Sequence, residues 1–435
     1  MKRACRLALR PSRASRRVLG RCVWARRLAF NAALAWHHEE REAGRPAPSE
    51  YATAAWLRAW RKAAAVEKPD LATVPARVFE YVAEDIERAW KGKQAGRGGA
   101  PRFDRFDPLA GGFALDGAII VDSSHVRLPK IGKVRLMPHV RPSAREGRLP
   151  AGTYSHARVV REHGEWFVSV THEVAEPVRV ADITPTIGLD PGVRKLAVLS
   201  DGTRYENPRA LEQVAVRAEK ARQSAARKQR ARDKKLGPPK KGERRPSSRR
   251  LQKARRRLGS QIRRAADIRK NAIHHATSDI AKAHAVVAVE DTRVRNMTRK
   301  RVGKGRAAKA ALNRRILDAA PGVFLTVLDQ KLRDRRGGGV VRVHAAFSSQ
   351  DCSRCGARTD CGSNEIYTCA ACGSVLDRDQ NAANIILARA RVAVAGWSPA
   401  QTSAWEQGKT ARLRQLNQAA RALIREPREI RDASI

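Results

Sequence analysis

Apolar and polar positions alternate loosely in RACRLALR (3–10), a pattern that predicts an edge strand. From about Arg13 the period lengthens to that of a helix. Leu19, Val23, Phe30 and Leu34 fall on one face, with Arg17 and Arg21 opposite. A second helical stretch carries Trp56, Leu57 and Trp60, and a third runs from about Pro75 to Trp90. The Trp pair at i, i+4 reads as core packing rather than base stacking, and the outer-face arginines suit phosphate contact better. Gly and Pro in KGKQAGRGGAP (91–101) end the helical pattern. Short strand-like runs follow at Ala118–Val121, Val126–Leu128, Val134–Met137, Ala157–Val160 and Trp166–Val170, separated by turn residues. A small β-barrel or sandwich is the natural reading.

Beyond Pro185 the apolar runs become continuous, as in buried strands. Thr186–Leu189 ends in Asp190-Pro-Gly, and Leu196–Leu199 follows at hairpin distance. HAVVAVE is another buried strand whose last residue is Glu290. In LDRDQNAANIILARA, Ala383, Ile386, Leu387 and Ala390 define one helix face, so Asp379 stands at or just before the first turn, where a carboxylate is favoured. Two strand ends and a helix start fit a sheet on which three acids converge. Carboxylates about 4 Å apart repel by roughly 4 kcal/mol per pair at an effective dielectric of 20. Cations between them make the arrangement tolerable, and hard oxygens suit Mg²⁺ or Mn²⁺. Two such ions activate water and stabilise a leaving 3′ oxygen. Because free carboxyls titrate near 4, all three acids are expected to be ionised at neutral pH. Two of the acids also have plainer readings, Asp190 as a turn former and Asp379 as a helix cap, and Asp377 is a rival to Asp379 as the ligand.

Charge decides the class of partner. Lys and Arg number 88 against 43 acids, a net +45. Self-repulsion on that scale calls for a polyanion, and with no amphipathic anchor or lipidation signal the polyanion is nucleic acid. The stretch 217–264 holds 21 Lys or Arg and three acids; its LGPPKKGERRPSS centre cannot be helical, while both flanks can. Two basic helices joined by a loop, lying along a phosphate backbone, are expected; a solvated charged linker is the plainer alternative. From Ser398 onward the chain reads as a basic amphipathic tail. No apolar run approaches the roughly 20 residues that span a bilayer, and Arg and Cys interrupt the N-terminus before a signal core forms. A soluble intracellular protein is expected.

Seven cysteines are present. Cys352-x2-Cys355 and Cys369-x2-Cys372 stand 13 residues apart, each pair followed by Gly (Gly356, Gly373). This is zinc-ribbon spacing: four thiolates close a tetrahedral shell that is structural, with no position open to water. Cys361 reads as a bystander, and Cys5 and Cys22 are scattered.

Four segments, IGLDPGVRKLAVLSDG, VVAVEDTRVRNM, SSQDCSRCG…YTCAACG and LDRDQNAANI, stand in the order found in the TnpB proteins of bacterial transposons, which the chain resembles over residues 1 to about 395. Miniature type V CRISPR effectors share that order. Upstream, GRGGAPRFDRF is similar to the family's Gly-Pro-Arg-Phe segment and RLPKIGKVRL to its Leu-Pro-Lys-Leu-Gly strand. The resemblance implies a guide RNA, double-stranded target DNA beside a short motif, and cleavage by an RNase H-like RuvC domain in the bacterial cytoplasm. It places the catalytic, Mg²⁺-binding acids on Asp190, Glu290 and Asp379, and one structural Zn²⁺ on Cys352, Cys355, Cys369 and Cys372. Pro191 and Thr292 depart from the family pattern without removing a ligand. The implied fold class is multidomain α+β: a helical recognition lobe, a small β-barrel wedge domain, and a mixed-sheet RuvC domain with an inserted zinc ribbon. The expected boundaries are a wedge strand at 1–10, a recognition domain at 11–95, the wedge at 96–183, and RuvC parts I and II at 184–350 with basic helices at 209–275. The ribbon follows at 351–374, RuvC part III at 375–395 and the tail at 396–435. Alternatives are a miniature CRISPR effector, a guided DNA-binding protein that does not cut, and an unguided RNA-binding protein with a ribbon.

Overall fold

The computed structural model describes residues 2–96, 98–107, 109–122, 124–137, 152–154, 156–173, 182–237, 248–291, 294–299, 303, 305–344, 346–362, 364–398 and 401–402. Most of the C-terminal tail, the centre of the basic stretch (238–247) and Thr292 lie outside the described residues. The chain divides into two compact units, Met1–Ala175 with Ser247–Gly259, and Glu176–Pro246 with Ser260–Ile435.

In the first unit, strand β1 (Lys2–Arg10) leads into three helices, α1 (Arg13–Glu42), α2 (Glu50–Glu67) and α3 (Ala76–Gln94). Ser12 caps α1 by accepting from the Ser15 amide at 3.1 Å, and Ser49 caps α2 from Ala52 at 3.2 Å. Seven strands follow: β2 (Gly111–Leu115), β3 (Ala118–Asp122), β4 (His125–Leu128), β5 (Gly132–Leu136), β6 (Gly152–Tyr154), β7 (Ala157–Glu162) and β8 (Glu165–Glu173). With β1 they form an antiparallel sheet in the order β2-β7-β8-β1-β5-β4-β3-β6. The N-terminal strand is therefore not at an edge: β1 pairs with β8 on one side and β5 on the other. The loose alternation misled because Leu7, Ala8 and Leu9 are all buried, while Arg6 pairs with Glu162 at 2.7 Å and lies over the Phe167 ring. One apolar core joins this sheet to the helices, with Leu19, Leu34, Leu57, Val82, Phe113 and Val168 among its members. Trp56 packs against it and stacks on Trp36 at 5.1 Å, as expected of a core aromatic.

The second unit holds β9 (Ile187–Asp190), β10 (Lys195–Leu199), β11 (Arg204–Glu206), β12 (Val286–Glu290) and β13 (Gly339–Val343), ordered β11-β10-β9-β12-β13. An antiparallel meander is thus extended by two strands parallel to β9. Two basic helices, α4 (Ala210–Leu236) and α5 (Arg249–Ala283), flank the Pro/Gly-rich segment; residues 249–259 of α5 belong to the first unit and the rest to the second. After the short α6 (Val294–Met297) come α7 (Arg306–Ala319) and α8 (Pro321–Arg336), and α9 (Arg378–Ala395) closes the unit. The period of 2 along β12 sorts its side chains onto two faces. Val287 and Val289 join Ile187, Leu189, Ile273, Phe324 and Leu328 under α5 and α8. Val286 and Ala288 join Val341, Ile386 and Ala390 under α9. None of the described helices is long and apolar enough to cross a membrane.

Candidate functional site

Parallel pairing of β9 with β12 sets Leu189 beside Val289, so the next residues, Asp190 and Glu290, end neighbouring strands side by side. Strands lie about 4.8 Å apart. Asp190 shares a face with Gly188, and Glu290 with Val286 and Ala288, so both acids stand on the α9 side. Gly188 permits this packing: a Cβ there would run into the Ala383 carbonyl and the Leu387 side chain of α9. The close approach brings the first turn of α9, and with it Asp379, to the same end of the sheet.

Asp377 settles its own role. Its carboxylate caps α9, accepting from the amides of Asp379 at 3.0 Å and Gln380 at 3.1 Å. It also pairs with Lys195 at 3.0 Å and Arg204 at 3.2 Å. Burial pushes its pKa up, but Lys195, the Gln380 amide and Arg204 together hold it below the ordinary Asp value. The cap reading therefore belongs to Asp377 and not to Asp379, which is more open and lies 3.7 Å from Lys195.

Asp190 feels the other acids. Burial first, then the charges of Glu290 and Asp379, push its pKa up to about 8, with Arg378 opposing. The expectation of an ionised acid at neutral pH therefore does not hold for Asp190 in the metal-free protein, where burial and the like charges of Glu290 and Asp379 outweigh Arg378. Burial also raises Glu290, against a hydrogen bond donated by Ser348 and the charge of Arg389. The three carboxylates are electrostatic neighbours but are not drawn into one cage. Among the described residues, only the four thiols form a group of three or more metal-type ligand atoms within 4.8 Å of one another. The joint spacing of about 4 Å expected from sequence is therefore not met by all three acids here.

The thiol group is closed. Cys352 Sγ and Cys372 Sγ lie 3.7 Å apart, and Cys355 Sγ and Cys369 Sγ 3.6 Å. Disulfide sulfurs would sit at about 2.05 Å, whereas Zn–S bonds of about 2.3 Å in a tetrahedron require S···S near 3.8 Å. These four cysteines can hold zinc. Amides of Cys372 and Ala371 pull Cys369 down to about 6, which predisposes it to the thiolate form a metal needs. Cys355 moves the opposite way even though the Ala357 amide lowers it, because it hydrogen-bonds Cys372 and Cys369. Gly356 and Gly373 sit at φ +75° and +66° as each knuckle turns. Cys361 stays outside the quartet, near the carbonyls of Thr359 and Thr368.

Sequence reading missed three residues that shape this end of the molecule. Lys195 anchors Asp377 and Asp379, and Ser348 donates to Glu290. Asn381 is fully buried: it donates to the Asp351 carbonyl at 2.8 Å and accepts from the Ser353 amide at 2.9 Å, tying α9 to the first cysteine knuckle. Lys195 and Asn381 lie within the quoted motifs, and the only available signal was their closeness to Asp190 and Asp379.

Fold and site together define a class: an α+β protein with helices on both faces of a mixed sheet, acids gathered at one sheet end and a four-thiol cage beside them. Residues 168–301 match the family described as "Probable transposase", and residues 322–386 match "Cas12f1-like, TNB domain". An Escherichia coli (strain K12) protein named "Putative RNA-guided DNA endonuclease InsQ" is 30% identical over 406 residues, covering 91% of this chain and 94% of its own. "Putative RNA-guided DNA endonuclease Rv2885c" of Mycobacterium tuberculosis (strain ATCC 25618 / H37Rv) is 31% identical over 429 residues, covering 89% of this chain and 86% of its own. Among solved structures, "Cryo-EM structure of the Cas12f1-sgRNA-target DNA complex" gives a TM-score of 0.48 at 13% identity, over 86% of this chain and 81% of that one. The chain belongs to the TnpB family of transposon-encoded RNA-guided nucleases.

Proposed function

We propose that this chain is an RNA-guided DNA endonuclease that hydrolyses phosphodiester bonds at a divalent-metal site formed by Asp190, Glu290 and Asp379. The observation that carries the reading is the in-register placement of Asp190 and Glu290 on neighbouring parallel strands, with Asp379 in the first turn of the helix packed on the same face. Hard carboxylate oxygens, one of them buried among like charges, fit Mg²⁺ or Mn²⁺. Two such ions supply Lewis acidity that activates water and steadies the leaving oxygen. The chain's own residues prepare the site. Lys195 holds Asp379 through its ammonium, Ser348 fixes the Glu290 carboxylate, and the Asp377 cap sets where α9 begins.

In this reading the ribbon carries one structural Zn²⁺ on Cys352, Cys355, Cys369 and Cys372. The mixed sheet with α4–α9 is the RNase H-like RuvC domain, and residues 1–183 supply the recognition and wedge parts. Guide RNA and target DNA are the partners, with base pairing supplying sequence and the protein reading duplex geometry. The exposed arginines of α4 and α5 supply phosphate contacts. The test is to sequence the RNA that co-purifies and then present matched and mismatched DNA with Mg²⁺. Cleavage confined to guide-matched DNA supports the proposal; cutting that ignores the guide, or the absence of any discrete RNA species, overturns it.

A further inference from the structure

The cleavage site leaves unexplained a second concavity, which lies wholly within the first unit. A cavity of about 260 Å³ opens between α1 and the segment 104–112, lined by Trp24, Arg27, Phe106, Arg161 and Trp166 among others. Its wall is held in place. Asn31 exchanges two hydrogen bonds with the Asp104 backbone at 3.0 and 2.7 Å, and Arg26 binds the Asp104 carboxylate at 2.8 Å. Gly111, at φ +126°, lets the segment reach Val23, and at Gly112 a Cβ would strike the Val159 carbonyl. The cavity therefore persists as a built feature of the fold.

Its chemistry is unusual for a structural void. Arg27 is buried and its guanidinium lies 5.2 Å from the Phe106 ring centroid, while Arg161 lies 5.4 Å from that of Trp166. The Arg161 Nε is buried with no hydrogen-bond acceptor among the described residues. Arg161 also faces the like charges of Arg256 and Arg16, with Asp107 as the opposing acid; burial and those two arginines lower its pKa. Phe106 keeps 59% of its surface exposed at the mouth. A half-buried guanidinium that faces two others and has, among the described residues, only Asp107 opposing them calls for a further anion, and the flat apolar rings beside it suit a planar partner. A nucleotide has both parts: a phosphate for the guanidinium fork and a base for the rings. An acidic peptide would satisfy the arginines and leave the aromatic faces unused.

We infer that this cleft is a nucleotide-binding pocket that takes one unpaired base of a single strand against Trp24, Phe106 and Trp166 and its phosphate on Arg161 and Arg27. The inference rests on the reading that the protein handles nucleic acid, and it adds a point at which one nucleotide is pulled from its stack. It accounts for the APRFDRF segment, which the cleavage site does not use.

The full chain is titrated with a 5′-phosphorylated trinucleotide carrying central 2-aminopurine, in ribo and deoxyribo forms, so that long-range attraction to the +45 surface is kept small. Stacking quenches 2-aminopurine, and the wild type is expected to quench it. Arg161→Gln should weaken binding about tenfold, the loss of a charged hydrogen bond. Arg58→Gln, at an exposed arginine of α2, should stay within about twofold. Phe106→Leu, at a site exposed enough to tolerate the change, should lose much of the quenching and keeps the test decisive if Arg161→Gln does not fold. The tighter arm, ribo or deoxyribo, assigns the strand. Equal affinity of Arg161→Gln and Arg58→Gln, or unaltered quenching in Phe106→Leu, overturns the pocket. Guided cleavage is read separately: if the wild type cuts guided DNA but Arg161→Gln binds the trinucleotide as tightly as Arg58→Gln, the pocket alone is overturned. Loss of binding in Arg161→Gln beside a wild type that never cuts counts against the nuclease reading alone.

Discussion

Gly188 and Asp190 point the same way from β9, two residues apart, and each matters because of the other. The glycine lets α9 touch the sheet; the touching helix partly buries the aspartate and brings Asp379 near it. Gly188→Ala should overpack this contact and cost about 1–3 kcal/mol. A clear fall in Tm checks it, and an unchanged Tm argues that α9 can move away freely. Asp190 carries a pH signature as well. Its native pKa of about 8 exceeds the ordinary 3.8. Between those values the native state holds a proton that the unfolded chain has lost, so stability falls as pH rises. The contribution is complete below about pH 4 and gone above about pH 8. Thermal melts of metal-free protein from pH 5 to 9 should show this slope, and Asp190→Asn should flatten it. Under the proposed function, Mg²⁺ or Mn²⁺ held by Asp190 would displace the proton, so the metal-induced rise in Tm should grow with pH in the wild type and be absent in Asp190→Asn. A rise equal in both proteins would detach the metal from this residue. At this scale the sequence showed which acids end strands, because continuous apolar runs stop on Asp190 and Glu290, and it was their order with Asp379 that made the trio specific. It could not show the proton on Asp190, which depends on burial and on neighbours about a hundred and two hundred residues away.

Among the elements, α9 does the most positional work. One side packs on β9, β12 and β13, its start is capped by Asp377, and Asn381 binds the knuckle backbone at Asp351 and Ser353. Zinc at the four thiols would therefore steady more than the ribbon. Asn381→Ala leaves a buried carbonyl and amide without partners, at about 1–3 kcal/mol. Its Tm should drop and cleavage should weaken although no thiol ligand is altered; wild-type values for both would show that knuckle and helix are independent. The start of α1 and the bounds of α3 were readable to within a few residues, as were β9, β10 and β12, while α2 was located only by Trp56, Leu57 and Trp60. The position of β1 was not, because order within a sheet depends on partners far along the chain: Leu9 pairs with Trp166 on one side and Leu136 on the other. β2, β6, β11, α6, α7, α8 and β13 went unread. GGFAL, RYE and GVVRV are short, and α7 and α8 have weak amphipathic patterns that meet at Ala320 with positive φ.

For the whole molecule, +45 and two families of motif already pointed to nucleic acid and to the TnpB family, and the fold adds the reason the motifs must stand in that order. β9 and β12 need to be parallel neighbours for their terminal acids to meet, which requires a long connection between them; the two basic helices fill it. The ribbon then falls between β13 and α9, where its first knuckle can reach Asn381. The most direct test is guided cleavage under single-turnover conditions with Mg²⁺, comparing wild type with Asp190→Ala, Glu290→Ala and Asp379→Ala loaded with the same RNA. Each variant should still bind matched DNA and should lose at least about a thousandfold in cleavage rate, or ~4 kcal/mol of transition-state stabilisation. Cleavage at the wild-type rate by any one of the three would contradict a shared metal site built from these acids.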